Sequence, residues 1–167
     1  MLGTLHPTAD GKFVLRFELH LDQSREIVWH ALAQPEPRAC WFPARVEFEP
    51  RAGAPLSFRP TKVQVEKFGI PADQVGTGEV LQANPPALLE FSWGDEVLRW
   101  ELTEDSAGGT NLIFANTIAD ASDAPAIAAA WHAGLEIVKA QLDGTKPESS
   151  MWERAEELTS DYATTMR

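Results

Sequence analysis

Residues 123–143 read DAPAIAAAWHAGLEIVKAQLD, and this stretch decides the fold. Large apolar side chains recur in it at helical spacing, at Ile127, Trp131, Leu135, Val138 and Leu142. With Ser122 or Asp123 as the cap and Gly144 as the stop, it predicts a helix about 31 Å long at 1.5 Å per residue. A helix of this length can cross a small sheet and cover its apolar face.

The region before this helix alternates between apolar and polar residues with a period of two. Short turns, such as Gly94 with Asp95, separate the alternating runs. Four strands are predicted, at 77–83, 88–93, 96–103 and 110–118. Consecutive strands joined by such short turns form an antiparallel meander.

The N-terminal part adds one more strand and two short helices. Residues 13–21 alternate strictly, which predicts a half-buried strand. Ser24 then precedes a run at 25–33 with helical spacing, and a second brief turn ends near Trp41. Pro43 closes this unit.

A hairpin follows, with predicted strands at 45–49 and 55–59. The segment 61–74 fits either a strand extension or a long excursion over one sheet edge. The whole chain is therefore expected to be α+β. We predict a curved antiparallel sheet of about six or seven strands wrapped around one long C-terminal helix, with two short helices after the first strand.

The tail beyond Gly144 predicts one further helix. Ser150 and Glu153 have the spacing of a capping box, and the apolar side chains that follow share one helix side. This helix either packs back on its own domain or forms a dimer contact. We expect a domain at 1–144 and a helical extension at 145–167, in a monomer or a homodimer.

Composition excludes several classes of partner. The formal net charge of −11 repels phosphate backbones, so we expect no nucleic acid. No apolar run is long enough for a membrane span and no basic amphipathic helix is visible, so no membrane partner is expected. The lone Cys40 and the absence of a secretory signal at the start favour a cytoplasmic protein.

Several local motifs occur in a characteristic order. They are IVWHAL at 27–32, CWFP at 40–43, GEVL at 78–81, LEFSW at 89–93, GTNL at 109–112 and WHAGL at 131–135. Together they resemble the START and Bet v superfamily of helix-grip proteins, also called SRPBCC. More narrowly, they are similar to the branch named after activators of the heat-shock protein 90 ATPase, the AHSA-like proteins. The resemblance spans roughly residues 13–144.

This resemblance implies a helix-grip fold and three alternative functions. The first is binding of a small hydrophobic molecule in a cavity between the sheet and the long helix. The second is a co-chaperone role, with a chaperone as the partner. The third is an enzyme of the cyclase or dehydratase type. No cofactor is implied.

The residues themselves offer no catalytic or metal motif. The four histidines lack the spacing of a preformed metal site, and nothing in the sequence places an activating group beside Cys40. Nucleophile-elbow and phosphate-loop patterns are also missing. We therefore assign no catalytic residue and no metal ligand, and regard an enzyme as the less favoured reading.

The inward-facing residues are the remaining candidates for a ligand site. Their bulk can fill a core or line a hollow, and the resemblance favours a hollow. The predicted cavity residues are Trp41, Phe42, Phe58, Phe91, Trp93, Trp100, Phe114, Asn116, Trp131 and Leu135. Asn116 shares parity with Phe114, so its amide should lie inside an apolar space, where it needs a partner from the protein or from a ligand.

Overall fold

A computed structural model describes residues 2–166. Eight strands form one antiparallel sheet in the order β1-β2-β8-β7-β6-β5-β4-β3. The strands are β1 Thr4–Pro7, β2 Phe13–Leu21, β3 Arg45–Glu47, β4 Pro55–Arg59, β5 Gly76–Asn84, β6 Leu88–Trp93, β7 Glu96–Glu104 and β8 Thr110–Ile118. The helices are α1 Arg25–Ala33, α2 Pro35–Arg38, α3 Lys62–Phe68, α4 Ala124–Asp143 and α5 Met151–Thr165.

The sheet has one strand more than the six or seven predicted. The additional strand, β1, pairs with β2 through a register that runs from Thr4 opposite Arg16 to Pro7 opposite Phe13. Four residues with a single large apolar side chain, Leu5, carry no alternation that sequence reasoning could detect. Pairing with β2 supplies the strand conformation that the local sequence does not specify.

The segment 61–74 contains a helix, α3, and is the excursion rather than a strand extension. Thr61 and Gln64 form a reciprocal capping box, and Gly69 ends the helix in the left-handed conformation at φ 64°. Both local signals are present in the sequence. The alternation of Val63 and Val65 competed with them, although α3 buries none of its residues.

The long helix α4 begins and ends as predicted, with Asp123 and Gly144 as its caps. Its predicted stripe is fully buried at Trp131, Leu135 and Val138, whereas Ile127 and Leu142 are partly buried and pack against the core. Small side chains take the core-facing positions of the first turns, since Ala124 and Ala128 are fully buried. The first turns of α4 therefore bury alanines more completely than the predicted Ile127.

The tail helix α5 packs along α4 within the same chain. Its predicted capping box, Ser150 with Glu153, is confirmed. The Tyr162 hydroxyl is buried and accepts a hydrogen bond from the Gly3 amide at 2.8 Å. Arg154 forms a forked pair with Glu136 at 2.9 and 3.1 Å. No helix among residues 2–166 is long and apolar enough to cross a membrane.

Candidate functional site

The predicted cavity residues come together on the inner face of the sheet, under α4. Eight of the ten are almost completely buried: Trp41, Phe42, Phe91, Trp100, Phe114, Asn116, Trp131 and Leu135. The other two, Phe58 and Trp93, are partly buried at the rim. Strand parity thus places the sheet residues of this set on one side of the sheet, and α4 closes over them.

The rings in this interior are in direct contact. Trp100 stacks on Phe114 with 4.8 Å between ring centroids and lies 5.2 Å from Phe91. Trp131 of α4 lies 4.6 Å from Phe114. Aromatic pairs at these separations are stabilising beyond their area burial. The deep part of the site is therefore packed with protein rings.

Phe42 occupies the centre of this arrangement. Its ring lies 5.2 Å from Trp131, 6.3 Å from Trp100 and 5.5 Å from Trp93 at the rim. It therefore links the buried interior to the edge of the sheet. Phe42 comes from the loop after α2 and not from the sheet or α4, so its position can change without breaking a strand ladder.

Two contacts hold this loop in place. The Trp41 indole Nε1 donates to the Ala31 carbonyl at 3.1 Å, and a Cβ on Gly134 of α4 would lie 2.7 Å from the Trp41 carbonyl oxygen. The absence of a side chain at Gly134 therefore lets the loop approach α4 closely. A larger residue there would push Trp41, and Phe42 with it, away from the helix.

Arg38 anchors the start of the same loop from inside the protein. It is 3% exposed, and its guanidinium donates to the Ala33 carbonyl at 2.9 Å and to the Val46 carbonyl at 2.8 Å. Burial lowers the pKa of Arg38 to about 10, which still leaves it charged at neutral pH. The carbonyl at the C-terminal end of α1 suits a cation, because the helix dipole is negative there.

A small pocket adjoins the rim of the aromatic interior. Phe58 and Trp93 stack face to face there, with 3.8 Å between centroids and an interplanar angle of 9°. A Cβ on Gly76 would lie 2.0 Å from the Phe58 ring, so only glycine leaves room for this ring. The pocket has a volume of about 120 Å³. It is lined by Ala44, Phe58, Arg59, Pro60, Gln64, Ile70, Gln74, Gly76 and Trp93.

A chain of polar groups crosses the opposite side of the interior. The Trp131 indole Nε1 donates to Asn116 Oδ1 at 3.0 Å, and Asn116 Nδ2 donates to Glu96 Oε2 at 2.9 Å. Asn116 is fully buried, as strand parity predicted. Both ends of its amide have protein partners. The carboxylate of Glu96 is the charged group in this series of hydrogen bonds.

Glu96 is a site residue that sequence reasoning missed. Burial raises the pKa of this carboxyl above its ordinary value, and the hydrogen bond from Asn116 opposes that shift. It lies opposite Trp93 in the β6–β7 register, on the same sheet face. Its parity with Leu98 and Trp100 is the signal for an inward direction, but Glu96 also directly follows the Gly94 and Asp95 turn, where a charged residue is typical of a strand start.

One polar atom in the interior has no hydrogen-bond partner. The Trp100 indole Nε1 is buried and unpaired among the described residues, whereas Trp41 and Trp131 both donate from the equivalent atom. The second unpaired buried side-chain atom in this part of the chain is Gln23 Oε1, which lies on the loop before α1.

The histidines lie elsewhere. His20 is half-exposed and pairs with Asp105 at 2.5 Å. His132 is buried, with Nδ1 2.8 Å from the Tyr162 hydroxyl and Nε2 3.1 Å from Glu136. Burial lowers the pKa of His132, and the Glu136 carboxylate partly opposes this. Within residues 2–166, no three His, Cys, Asp or Glu side chains are grouped to hold a metal ion.

These features define a helix-grip protein, in which an antiparallel sheet closes around a long C-terminal helix. The family model for Activator of Hsp90 ATPase homolog 1-like protein matches residues 22–143. The chain therefore belongs to this family. The match ends at the last residue of α4, so α5 lies outside it. Comparison with curated proteins returned no match.

Solved structures share the fold over nearly the whole chain. CalU16 from Micromonospora echinospora has a TM-score of 0.72 at 18% identity, covering 99% of this chain and 96% of its own. A conserved protein of unknown function, EF2215 from Enterococcus faecalis, has a TM-score of 0.73 at 15% identity, with coverage of 99% and 92%. The BPP1335 protein from Bordetella parapertussis has a TM-score of 0.72 at 23% identity, with coverage of 97% and 91%. At these identities the likeness shows the fold alone.

Proposed function

We propose that this protein binds one small, mostly apolar molecule between the inner face of its sheet and α4. The observation that carries the proposal is a continuous aromatic path from a surface pocket to a buried polar chain. It runs from Phe58 and Trp93 through Phe42 to Trp131, which is bonded to Asn116. An apolar site with a few convergent polar groups is the usual form of a small-molecule site.

The size of the pocket supports a small ligand. At about 120 Å³, it is comparable with an engineered cavity of roughly 150 Å³ that binds benzene. A ligand larger than one ring must also displace part of the packed interior. Phe42 is the group best placed to move, because it lies on a loop and contacts both Trp93 and Trp131.

Glu96 supports a ligand that also carries a polar group. Among residues 2–166, only the Asn116 amide donates a hydrogen bond to its carboxylate, through Oε2. The other oxygen, Oε1, can accept from a hydroxyl or an amine on the ligand. Burial raises the pKa of Glu96 because it removes water from the carboxylate, and a hydrogen bond from the ligand would replace part of that lost solvation. In this arrangement Asn116 orients Glu96, and Glu96 contacts the ligand.

Two measurements test the proposal. Native mass spectrometry of the purified protein should detect a retained small molecule. Isothermal titration calorimetry with a panel of apolar ligands should then give saturable binding. Trp93→Leu and Phe58→Leu remove rim rings and should weaken binding by about tenfold, or about 1.4 kcal/mol.

Phe13→Leu is the matched control, because Phe13 is also partly buried but lies on β2, several strands away from the pocket. It should leave affinity unchanged. Equal affinity in both rim variants would move the site elsewhere. Absence of binding across the panel, together with no retained molecule, would contradict the proposal.

A second candidate function is stimulation of a heat-shock chaperone ATPase, and the description of the matching family favours it. The test is the ATPase rate of a purified chaperone of the heat-shock protein 90 type, with and without an excess of this protein. A rise in rate would favour this function. An unchanged rate together with ligand binding would favour the first.

A further inference from the structure

The buried indole of Trp100 sits in surroundings that offer it no hydrogen-bond acceptor. It is 2% exposed, and its Nε1 is unpaired within the described part of the chain. The rings of Phe42, Phe91, Phe114 and Trp131 surround it, at centroid distances of 4.8 to 6.3 Å. None of these four side chains carries a hydrogen-bond acceptor.

The other two buried indoles in this interior show that the arrangement is specific to Trp100. Trp41 donates to the Ala31 carbonyl at 3.1 Å, and Trp131 donates to Asn116 at 3.0 Å. Buried polar groups in folded proteins are paired in the great majority of cases, and an unpaired one calls for an explanation. Phenylalanine at position 100 would provide an aromatic ring without the cost of an unpaired donor.

We propose that Trp100 is a ligand-binding residue whose indole N–H donates a hydrogen bond to an acceptor atom on the bound molecule. This inference rests on the proposed function and names the ligand class: a planar aromatic molecule that carries a carbonyl or a comparable acceptor oxygen. The aromatic body would stack among the rings around Trp100. The acceptor would satisfy Nε1, which the protein leaves unpaired.

The position of Phe42 provides the route. Its ring contacts Trp93 beside the pocket and Trp100 in the interior. A ligand ring that replaces the Phe42 ring would therefore pass from the rim to the indole without breaking the sheet. It would keep the aromatic contacts that Phe42 makes, and it would add the hydrogen bond that Phe42 cannot make.

A matched pair of ligands tests the inference. Acetylnaphthalene and ethylnaphthalene have the same aromatic body and similar size, and differ in the carbonyl oxygen. In the wild-type protein, calorimetry should show tighter binding of the ketone by roughly threefold to tenfold, the range of one neutral hydrogen bond. Trp100→Phe should remove this preference and leave ethylnaphthalene affinity nearly unchanged.

Trp29→Phe is the control, because Trp29 is a buried indole on α1 for which no aromatic contact is seen in residues 2–166. It should keep the preference for the ketone. If both ligands bind the wild-type protein equally, or the preference survives in Trp100→Phe, the inference is wrong and the proposed function stands. If neither ligand binds the wild-type protein, the inference is overturned, and the proposed function is then decided by the ligand panel and by native mass spectrometry.

A second measurement avoids reliance on the variant. With nitrogen-labelled tryptophan, the Trp100 indole N–H resonance should shift downfield on addition of the ketone, as expected for a new hydrogen bond. Ethylnaphthalene should not cause this downfield shift. Identical shifts with both ligands would also overturn the inference.

Discussion

Replacing Asn116 with leucine tests the polar chain inside the site. Asn116 is fully buried on β8, between the indole of Trp131 and the carboxylate of Glu96. Leucine has a similar size and removes both hydrogen-bonding groups. Since both ends of the amide have protein partners, we expect the free protein to lose stability.

The magnitude follows from the two partners. Leaving the buried Trp131 N–H unpaired costs about 1–3 kcal/mol, and a hydrogen bond to a charged group contributes about 1.5–3 kcal/mol. The apolar surface of leucine offsets part of this, at roughly 25 cal/mol per Å² buried. We expect a net loss of about 2 kcal/mol at neutral pH.

The loss should depend on pH because Glu96 is involved. Burial raises the pKa of Glu96 in the folded state, so the stability associated with its neutral form is present at low pH and is lost as pH rises through the raised value. Asn116 opposes this shift. Asn116→Leu should therefore be more destabilising at about pH 8 than at about pH 5, where part of the carboxyl is neutral.

Urea unfolding of the wild type and the variant at both pH values measures these differences. In a Glu96→Gln background the pH dependence of the Asn116→Leu effect should disappear. Asn111→Leu, on the exposed face of the same strand, is the control and should change stability little. A loss below about 0.5 kcal/mol, the scale of surface substitutions, would refute the reasoning, and so would a loss with no pH dependence.

Four further predictions concern the packing around the site. Trp131→Ala should lower the free energy of unfolding by about 3–5 kcal/mol in chemical denaturation. A loss below about 1 kcal/mol would show that Trp131 is not a core residue. Phe42→Ala should lower the free energy of unfolding by about as much. Calorimetry should nevertheless show tighter binding of an apolar probe, because the probe no longer has to displace the Phe42 ring. Weaker binding would contradict the displacement of this ring. Arg38→Lys should lose more than about 1.5 kcal/mol in denaturation although the charge is kept, because an ammonium lacks the guanidinium fork; a neutral effect would refute this. Burial lowers the pKa of His132, so the stability that its neutral imidazole contributes is present above the histidine's ordinary pKa and is lost as pH falls. His132→Gln should therefore flatten the dependence of stability on pH between about pH 7 and pH 5. An unchanged slope would assign that pH dependence to other groups.

Local sequence determined most of the sheet and the two long helices. The strands Phe13–Leu21, Leu88–Trp93 and Thr110–Ile118 begin and end where the alternation does. This works because the strand period is two and each run is bounded by residues that favour turns. Helix α5 begins at its capping box for the same reason, since caps act within one turn.

Three features of the fold depended on contacts between distant residues or on competing local signals. Strand β1 exists through its pairing with β2. Helix α3 was obscured because the alternation of Val63 and Val65 suggested a strand. Ile127 has the helical spacing of a core residue but is only partly buried, whereas its neighbour Ala128 is fully buried. Periodicity identifies an apolar helix side, but only the partner surface selects which residues of an alanine-rich turn are covered.

The candidate site divides in the same way. Strand parity placed Asn116 and Phe114 in the interior and helical spacing placed Trp131 there, because side-chain direction is a local property of a strand or a helix. The bond from Asn116 to Glu96 and the unpaired Trp100 indole were decided by the tertiary structure. Whether a buried donor finds an acceptor depends on which side chains meet across strands and helices, and that information appears only when those elements are packed together.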